Sequence, residues 1–481
     1  MTSFNPFGKT LHDLIADDLD CLRSTPEGWY VEYKRTFPSA LSAAKSLSAF
    51  ANSYGGWIFY GIAESSDNKR TAGSFLGVPA SEIPQIEEWL QAAASRHLSS
   101  SPYFEHRIFI GPCQALGLEV GRAIVVVHVL QGRNTPHVHS SGRIYRRVAD
   151  ASDPVHETDR HFLDLLFQRQ KESRKNFARF LKSKPPLSPA DRTTTYARLL
   201  FFPDPWGERA LSSILDFERF STLMSDSSLE SGGLPFDNVF TSADGLVARQ
   251  VVDNDRSLRL FTWQHKNNCI DEITLPLNSV YLNSADDTIP FLYGYDLCER
   301  FATVCEKQHL RSVWVLDLCQ FLTILIGVMV RLQKLYEAEN LKWPVFFKAV
   351  LTGCSHRCPF FDVKPFVDFV EQFGIPLVED EDIVVPAGKE PGTCIELEDR
   401  GPELSQTCGA EWPLVSANLD AVIIFAQVAR AFGIPSFGFG FPKLGKDDPE
   451  NRDYYTQLLA MGDRTRQVLR NRMRIERSRT T

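Results

Sequence analysis

Residues 26–64, PEGWYVEYKRTFPSALSAAKSLSAFANSYGGWIFYGIAE, constrain the fold more than any other part of the chain. Val31 and Tyr33 alternate with Glu32 and Lys34, the period of a strand with one core face and one polar face. Ser39 is a helix N-cap. Ala40, Ala44, Leu47 and Ala51 then recur at helical spacing, so a helix is predicted from about Leu41 to Ser53. Its alanines permit close packing on a sheet. Tyr54-Gly55-Gly56 turns the chain, and Trp57 to Ile62 reads as a second, wholly apolar strand with Glu64 at its end. The order strand–helix–strand, with acids at the strand edges, is the expected core of the N-terminal domain.

Three carboxylates, Glu27, Glu32 and Glu64, can converge in such a unit, with Lys34 beside them. Carboxylate oxygens are suitable ligands for Mg²⁺ or Mn²⁺. A held metal activates water and stabilises a phosphate transition state, and a lysine offsets the added charge. Surface strands also carry Glu and Lys as solvated pairs, so these acids alone leave both readings open.

GWYVEYKR, SAFANSYGGWIFYGIAES and the later GRIYRRVADASDPV together resemble the Schlafen-type AlbA-2 family, also labelled divergent AAA-4. The matching positions are Glu27, Glu32-Tyr33-Lys34, Ser48 to Ser53, Gly55-Gly56, Gly61, Glu64, and Tyr145-Arg146-Arg147 with Pro136 before them. The resemblance covers about residues 10–165. It implies a nucleic-acid-binding domain. In the vertebrate branch it also implies a metal-dependent endoribonuclease acting on structured RNA such as tRNA. Carried over by position, the catalytic and metal-binding acids fall on Glu27, Glu32 and Glu64, with Lys34 adjacent, and Mg²⁺ or Mn²⁺ is the expected cofactor. The family's third acid is often Asp, one methylene shorter than Glu64. Vertebrate members carry a zinc site and two copies of the lobe. Here the region holds only Cys21 and Cys113 and one copy, so a homodimer is the expected way to rebuild a two-lobed groove. The AAA label suggests ATP, yet no ATP or NAD motif is found. Gly8-Lys9-Thr10 has Ser3 where a phosphate loop needs glycine, and Gly438, Gly440 and Gly445 lack dinucleotide spacing.

Lys34, Arg35, Lys45, Arg133, Arg143, Arg146 and Arg147 are the candidate phosphate contacts. Arg143 and Arg147, four apart, are expected on one strand face. His137 and His139 are expected at the rim. The net charge of −8 at first argues against nucleic acid. It is a sum over unlike parts, however. Residues 1–182 hold 21 Lys and Arg against 19 Asp and Glu, and the remainder 31 against 41. A nucleic acid therefore belongs on the N-terminal part.

The chain as a whole is predicted to be α+β. An α/β domain with a mixed sheet occupies residues 1–182, a proline-rich linker residues 183–192, and a larger α+β region residues 193–481. Strands are expected within 246–275, two helices within 293–340, and a helix over 419–433 ending at glycine. Leu318 to Val330 is too short to span a bilayer and is expected in the core, so no membrane partner is expected. The N-terminus lacks a signal-like apolar stretch, which points to a cytoplasmic chain with reduced thiols. Cys354, His356 and Cys358 have ligand-like spacing, but zinc would need Cys394 or Cys408 as well, and a turn with buried thiols is the simpler expectation. Nucleic-acid binding ranks first, a three-carboxylate nuclease second, and a protein-interaction scaffold led by the acidic C-terminal region third.

Overall fold

The N-terminal strand–helix–strand unit forms as its sequence requires. β1 (Val31–Lys34) and β2 (Gly56–Tyr60) pair in parallel, with Val31 opposite Trp57 and Lys34 opposite Tyr60. They are joined by α1 (Ala40–Asn52), whose Ser39 cap accepts a hydrogen bond from the Ser42 amide. The molecule is a computed structural model describing residues 4–66, 70–83, 85–148, 153–183, 189–209, 211–228, 231–234, 236–251, 260–341, 344–397, 412–439 and 460–472. It divides into two units, Met1–Phe180 with Trp206–Ala210, and Leu181–Pro205 with Leu211–Thr481.

In the first unit the chain continues through β3 (Ala63–Glu64), β4 (Ala72–Ser74), β5 (Val78–Pro79) and α2 (Ile86–His97). It ends with β6 (Phe104–Ile110), β7 (Arg122–Val129), β8 (Tyr145–Arg146), β9 (Val155–His156) and α3 (Arg160–Lys182). β7 pairs antiparallel with β2, β5 and β6, which gives a mixed five-stranded sheet.

The period of two sorts the side chains onto two apolar layers. Ile58, Tyr60, Val125, Val127 and Val129 meet Ala44, Leu47, Phe50 and Ala51 of α1 and Leu90 and Ala94 of α2. Val31, Tyr33, Trp57, Phe59, Ile124 and Val126 meet Leu11, Leu14, Leu19 and Leu22 from the N-terminal segment. Each fully buried large side chain contributes roughly 1.5–3 kcal/mol. This double cover decides a point the sequence leaves open. The polar face of β1 is not a solvent face: α1 lies over it, and Glu32 is fully buried there. The turn into β2 depends on Gly55, at φ +75°, where a Cβ would stand 2.8 Å from the Val129 carbonyl.

The second unit is α+β. Its strands and helices run β10 (Thr195–Phe202), α4 (Phe217–Ser225), β11 (Asn238–Ser242), β12 (Gly245–Arg249), β13 (Thr262–Lys266), β14 (Asp271–Leu277), β15 (Ser279–Leu282), α5 (Thr288–Leu292) and α6 (Cys298–Lys307). They continue with β16 (Val313–Asp317), α7 (Leu318–Ala338), β17 (Val345–Thr352), β18 (Arg357–Phe360), α8 (Lys364–Phe373), β19 (Asp382–Val385), β20 (Ile395–Leu397), α9 (Trp412–Ala431) and a helix over 460–472. An eight-stranded sheet has the order β11-β12-β13-β14-β10-β17-β19, with β20 also on β17. β15, β16 and β18 form a second, three-stranded sheet. α7 is long and apolar enough to cross a membrane, yet 72% of its most apolar window is buried inside the protein. It is capped by Asp317, which accepts from the Gln320 amide. Cys354 and Cys358 are buried, the Cys358 thiol donates to the Trp314 carbonyl at 3.4 Å, and His356 turns to its neighbour Ser355. Among the described residues, Cys354, His356 and Cys358 do not bring their ligand atoms within 4.8 Å of one another. Cys408, linker residues 184–188, Gly440, Gly445 and residues 473–481 lie outside the described residues.

Candidate nucleic-acid interface

The sequence-predicted residues separate into a buried network and a surface cluster. Arg147 anchors the first. It is fully buried, and its guanidinium donates to the Gly28 carbonyl at 2.9 and 3.1 Å, the Val31 carbonyl at 3.2 Å and the Glu32 carboxylate at 3.4 Å. The Phe50 ring lies beneath it at 5.1 Å. On the other carboxylate oxygen, Glu32 accepts from the Ser46 hydroxyl at 2.9 Å and pairs with Lys34 at 3.0 Å. This corrects the expectation that Arg147 contacts phosphate: with no exposed atom and every direction occupied by β1 and its approach, it is a clamp. It also shares no strand face with Arg143, because β8 is only Tyr145 and Arg146. A buried pair of this kind is tolerated when each charge is paired and hydrogen-bonded.

Glu27 and Glu64 flank this network. Glu27 Oε1 accepts from the Tyr33 amide at 3.1 Å, and its buried Oε2 has no hydrogen-bond partner. Burial pushes the Glu27 pKa up to about 7. The Tyr33 amide opposes this, Glu64 adds to it, and Arg147 and Glu32 act in smaller, opposite senses. Glu64 itself is exposed. Do these acids fit one Mg²⁺ or Mn²⁺? Among the described residues, the group of His, Cys, Asp and Glu side chains whose ligand atoms close to within 4.8 Å of one another lies elsewhere, in the C-terminal unit. Glu27, Glu32 and Glu64 do not close that far, and both Glu32 oxygens are taken by cations and Ser46. As arranged, the three carboxylates do not fit a shared ion.

The surface cluster lies over Tyr145, whose own side chain is buried at 8% exposure. The Lys45 ammonium, from the outer side of α1, stands over the Tyr145 ring at 5.0 Å. Ser141, then Arg143 and Lys45, hold the phenol below its ordinary pKa against the opposing effect of burial. The His139 ring meets Tyr145 edge-on at 5.5 Å. Arg143 is exposed, as is Arg35 beyond the end of β1. Arg146 is half-buried, pairs with Glu157 at 2.7 Å and stacks on Phe162 at 5.0 Å. Lys34 is shared between Glu32 and Asp153, the latter at 3.3 Å. Arg133 is exposed, with its amide held by Glu208 at 2.6 Å. The two histidines are not at the rim. His137 is fully buried, and burial lowers its pKa to about 4; His139 is tied to Ser141 and to the Leu41 carbonyl.

The family model described as Schlafen, AlbA_2 matches residues 27–156, a span that includes the Glu32–Arg147 network and the Tyr145 cluster. The chain carries a Schlafen AlbA-2 domain. The N-terminal domain of a RecG-related protein from Nitrosomonas europaea is 19% identical, with 30% of this chain and 88% of that one covered and a TM-score of 0.21. The DIP2311 protein from Corynebacterium diphtheriae is 18% identical, with 37% of this chain and 33% of that one covered and a TM-score of 0.19. No curated protein matches the chain.

Within the AlbA-2 domain, the SAFANS motif has an architectural use that its sequence does not announce. Asn52 donates to the His137 and Tyr145 carbonyls, both at 3.0 Å, and accepts from the His137 amide at 2.9 Å. The Ser53 hydroxyl accepts from the Arg147 amide at 2.9 Å. The end of α1 therefore fixes the segment that carries Tyr145 and sends Arg147 inward. Ser46, Asn52 and Ser53 carry no charge, so a search for charged ligands passes over them. The available signal is a set of polar residues on an otherwise apolar, buried helix.

Proposed function

We propose that this chain binds nucleic acid through its AlbA-2 domain, with Lys45, Arg143 and Tyr145 at the centre of the contact. The observation that carries this reading is the convergence of half-buried Lys45 and exposed Arg143 on one buried tyrosine, Tyr145. Cations bind phosphates without sequence preference. Arg35 and Arg133 supply further charge. The acidic remainder of the chain disfavours indiscriminate binding.

The test is fluorescence anisotropy with labelled single- and double-stranded RNA and DNA over a salt series. The intact chain is expected to bind with a steep dependence on log salt. Lys45→Glu with Arg143→Glu should weaken binding at least tenfold and flatten the salt slope by roughly one per lost phosphate contact. A flat salt response, or unchanged affinity in the double variant, overturns the proposal. The nuclease reading rests on Glu27, whose Oε2 is buried without a partner beside Glu64 and Glu32. Incubation of tRNA with Mn²⁺ or Mg²⁺ discriminates it. Cleavage that Glu32→Gln abolishes would replace binding alone with catalysis, and intact RNA would leave binding as the function.

A further inference from the structure

A second constellation lies wholly in the C-terminal unit. His265 stands on β13, Cys269 in the turn to β14, and Glu339 at the C-cap of α7. All three are buried, at 1%, 1% and 5% exposure, and their ligand atoms lie within 4.8 Å of one another. Cys269 is in no disulfide.

The surroundings orient each group. Asp271 Oδ1 lies 3.0 Å from His265 Nδ1 and accepts from the Trp263 indole at 2.7 Å. This turns His265 Nε2 toward Glu339 Oε1, at 2.8 Å. Glu339 is fixed in turn by the Ser213 hydroxyl and by the Ile214 amide at 2.9 Å. Asp271 Oδ2 is fully buried and has no hydrogen-bond partner. That carboxylate keeps charge in reserve behind the ring. A carboxylate on the far nitrogen of a histidine is the arrangement that fixes the tautomer and raises the basicity of a metal-ligating imidazole.

We propose that His265 Nε2, Cys269 Sγ and a Glu339 carboxylate oxygen form a Zn²⁺ site, with Asp271 as the positioning residue behind His265. One imidazole, one thiolate and one carboxylate are a donor set for zinc; Mg²⁺ and Ca²⁺ prefer oxygen alone. Ser213 Oγ, 3.2 Å from His265 Nε2, or a water completes four-coordination.

The charges balance. Without metal, both ring nitrogens face carboxylates, so both carry protons. Zn²⁺ displaces the Nε2 proton of His265 and the Sγ proton of Cys269. Two protons leave as one dication enters, and the pocket keeps its net charge. The same exchange removes the lone positive charge from the imidazole and places it at the centre of three ligands. The ion would tie the β13–β14 turn to the end of α7.

The full chain, stripped with chelator and titrated with Co²⁺, tests this. One Co²⁺ per chain is expected, with the thiolate-to-cobalt charge-transfer band and the d–d bands of a tetrahedral site. Loading the metal-free chain with either metal should release two protons per chain in weak buffer, and Zn²⁺ should then displace Co²⁺ with no further release. Cys269→Ser should abolish the thiolate band, and Asp271→Asn should weaken binding about 10–100-fold while the band persists. Cys358→Ser, remote from the site, should change neither. Circular dichroism of the zinc-free variants checks that they fold. Where a variant does not, iodoacetamide labelling of the intact chain is read instead, with Zn²⁺ expected to protect Cys269. Absence of stoichiometric Co²⁺, a band that survives Cys269→Ser, or Cys269 labelling indifferent to Zn²⁺ overturns the proposal.

Discussion

Replacing Arg147 with methionine removes the guanidinium and keeps an unbranched apolar side chain over Phe50. Glu32 then loses one of its two cations, and the Gly28 and Val31 carbonyls lose their shared donor. Breaking a buried ion pair from one side costs about 3–5 kcal/mol. Lys34 still stands 3.0 Å from Glu32, so the lower end of that range applies to the charge. The carbonyls add about 1 kcal/mol each if no water replaces the donor. The expected loss is about 3 kcal/mol if water replaces the donor and about 5 kcal/mol if it does not, roughly a 100–5,000-fold rise in the open population. Hydrogen exchange read by mass spectrometry localises it: peptides spanning β1 and β2 should lose protection by that factor, and C-terminal peptides should not. The double variant Glu32→Gln, Arg147→Met should be less destabilised than the two single changes combined, because no unpaired charge remains. If Arg147→Met leaves protection intact and instead flattens the salt dependence of nucleic-acid binding, Arg147 is a phosphate contact and the clamp is wrong.

Glu27→Gln bears on pH. A folded-state pKa raised to about 7 from 4.5 means stability is fully present below about pH 4.5 and falls as pH rises through 7. The intact N-terminal unit should lose up to about 3 kcal/mol over that window, and the Gln variant should lose much less in urea melts at pH 5 and pH 8. Gly55→Ala forces a side chain into φ +75° with its Cβ 2.8 Å from the Val129 carbonyl and 3.0 Å from the Gln131 amide. Left-handed backbone alone costs about 1–2 kcal/mol, so a drop of several degrees in the thermal transition of the N-terminal unit is expected.

The strand–helix–strand core was legible because each of its signals is local. The alternation at Val31 to Lys34, the Ser39 cap and the small residues of α1 all act within a few residues of themselves. The same holds for β12 to β14 and for the glycine stop after α9. The candidate site was legible by residue but not by role. Glu27, Glu32, Lys34 and Arg147 were all selected for their charge, and three of the four form parts of one buried network. Nothing along the sequence distinguishes Arg146, which reaches Glu157 and Phe162 near the surface, from Arg147, which turns inward.

The sequence by itself determined the strand–helix–strand unit and the AlbA-2 motif set, because periodicity and turn chemistry are short-range properties. Only the tertiary structure decided which charges are spent internally. Glu32 lies under α1 because β1 and β2 are covered on both faces, and Arg147 reaches it across more than a hundred residues of chain. Likewise, His265, Cys269 and Glu339 share no motif, and they meet because the β13–β14 turn packs against the end of α7. Charge is a property of composition, but whether a charge faces water, a phosphate or another buried charge is settled by which distant segments close over it.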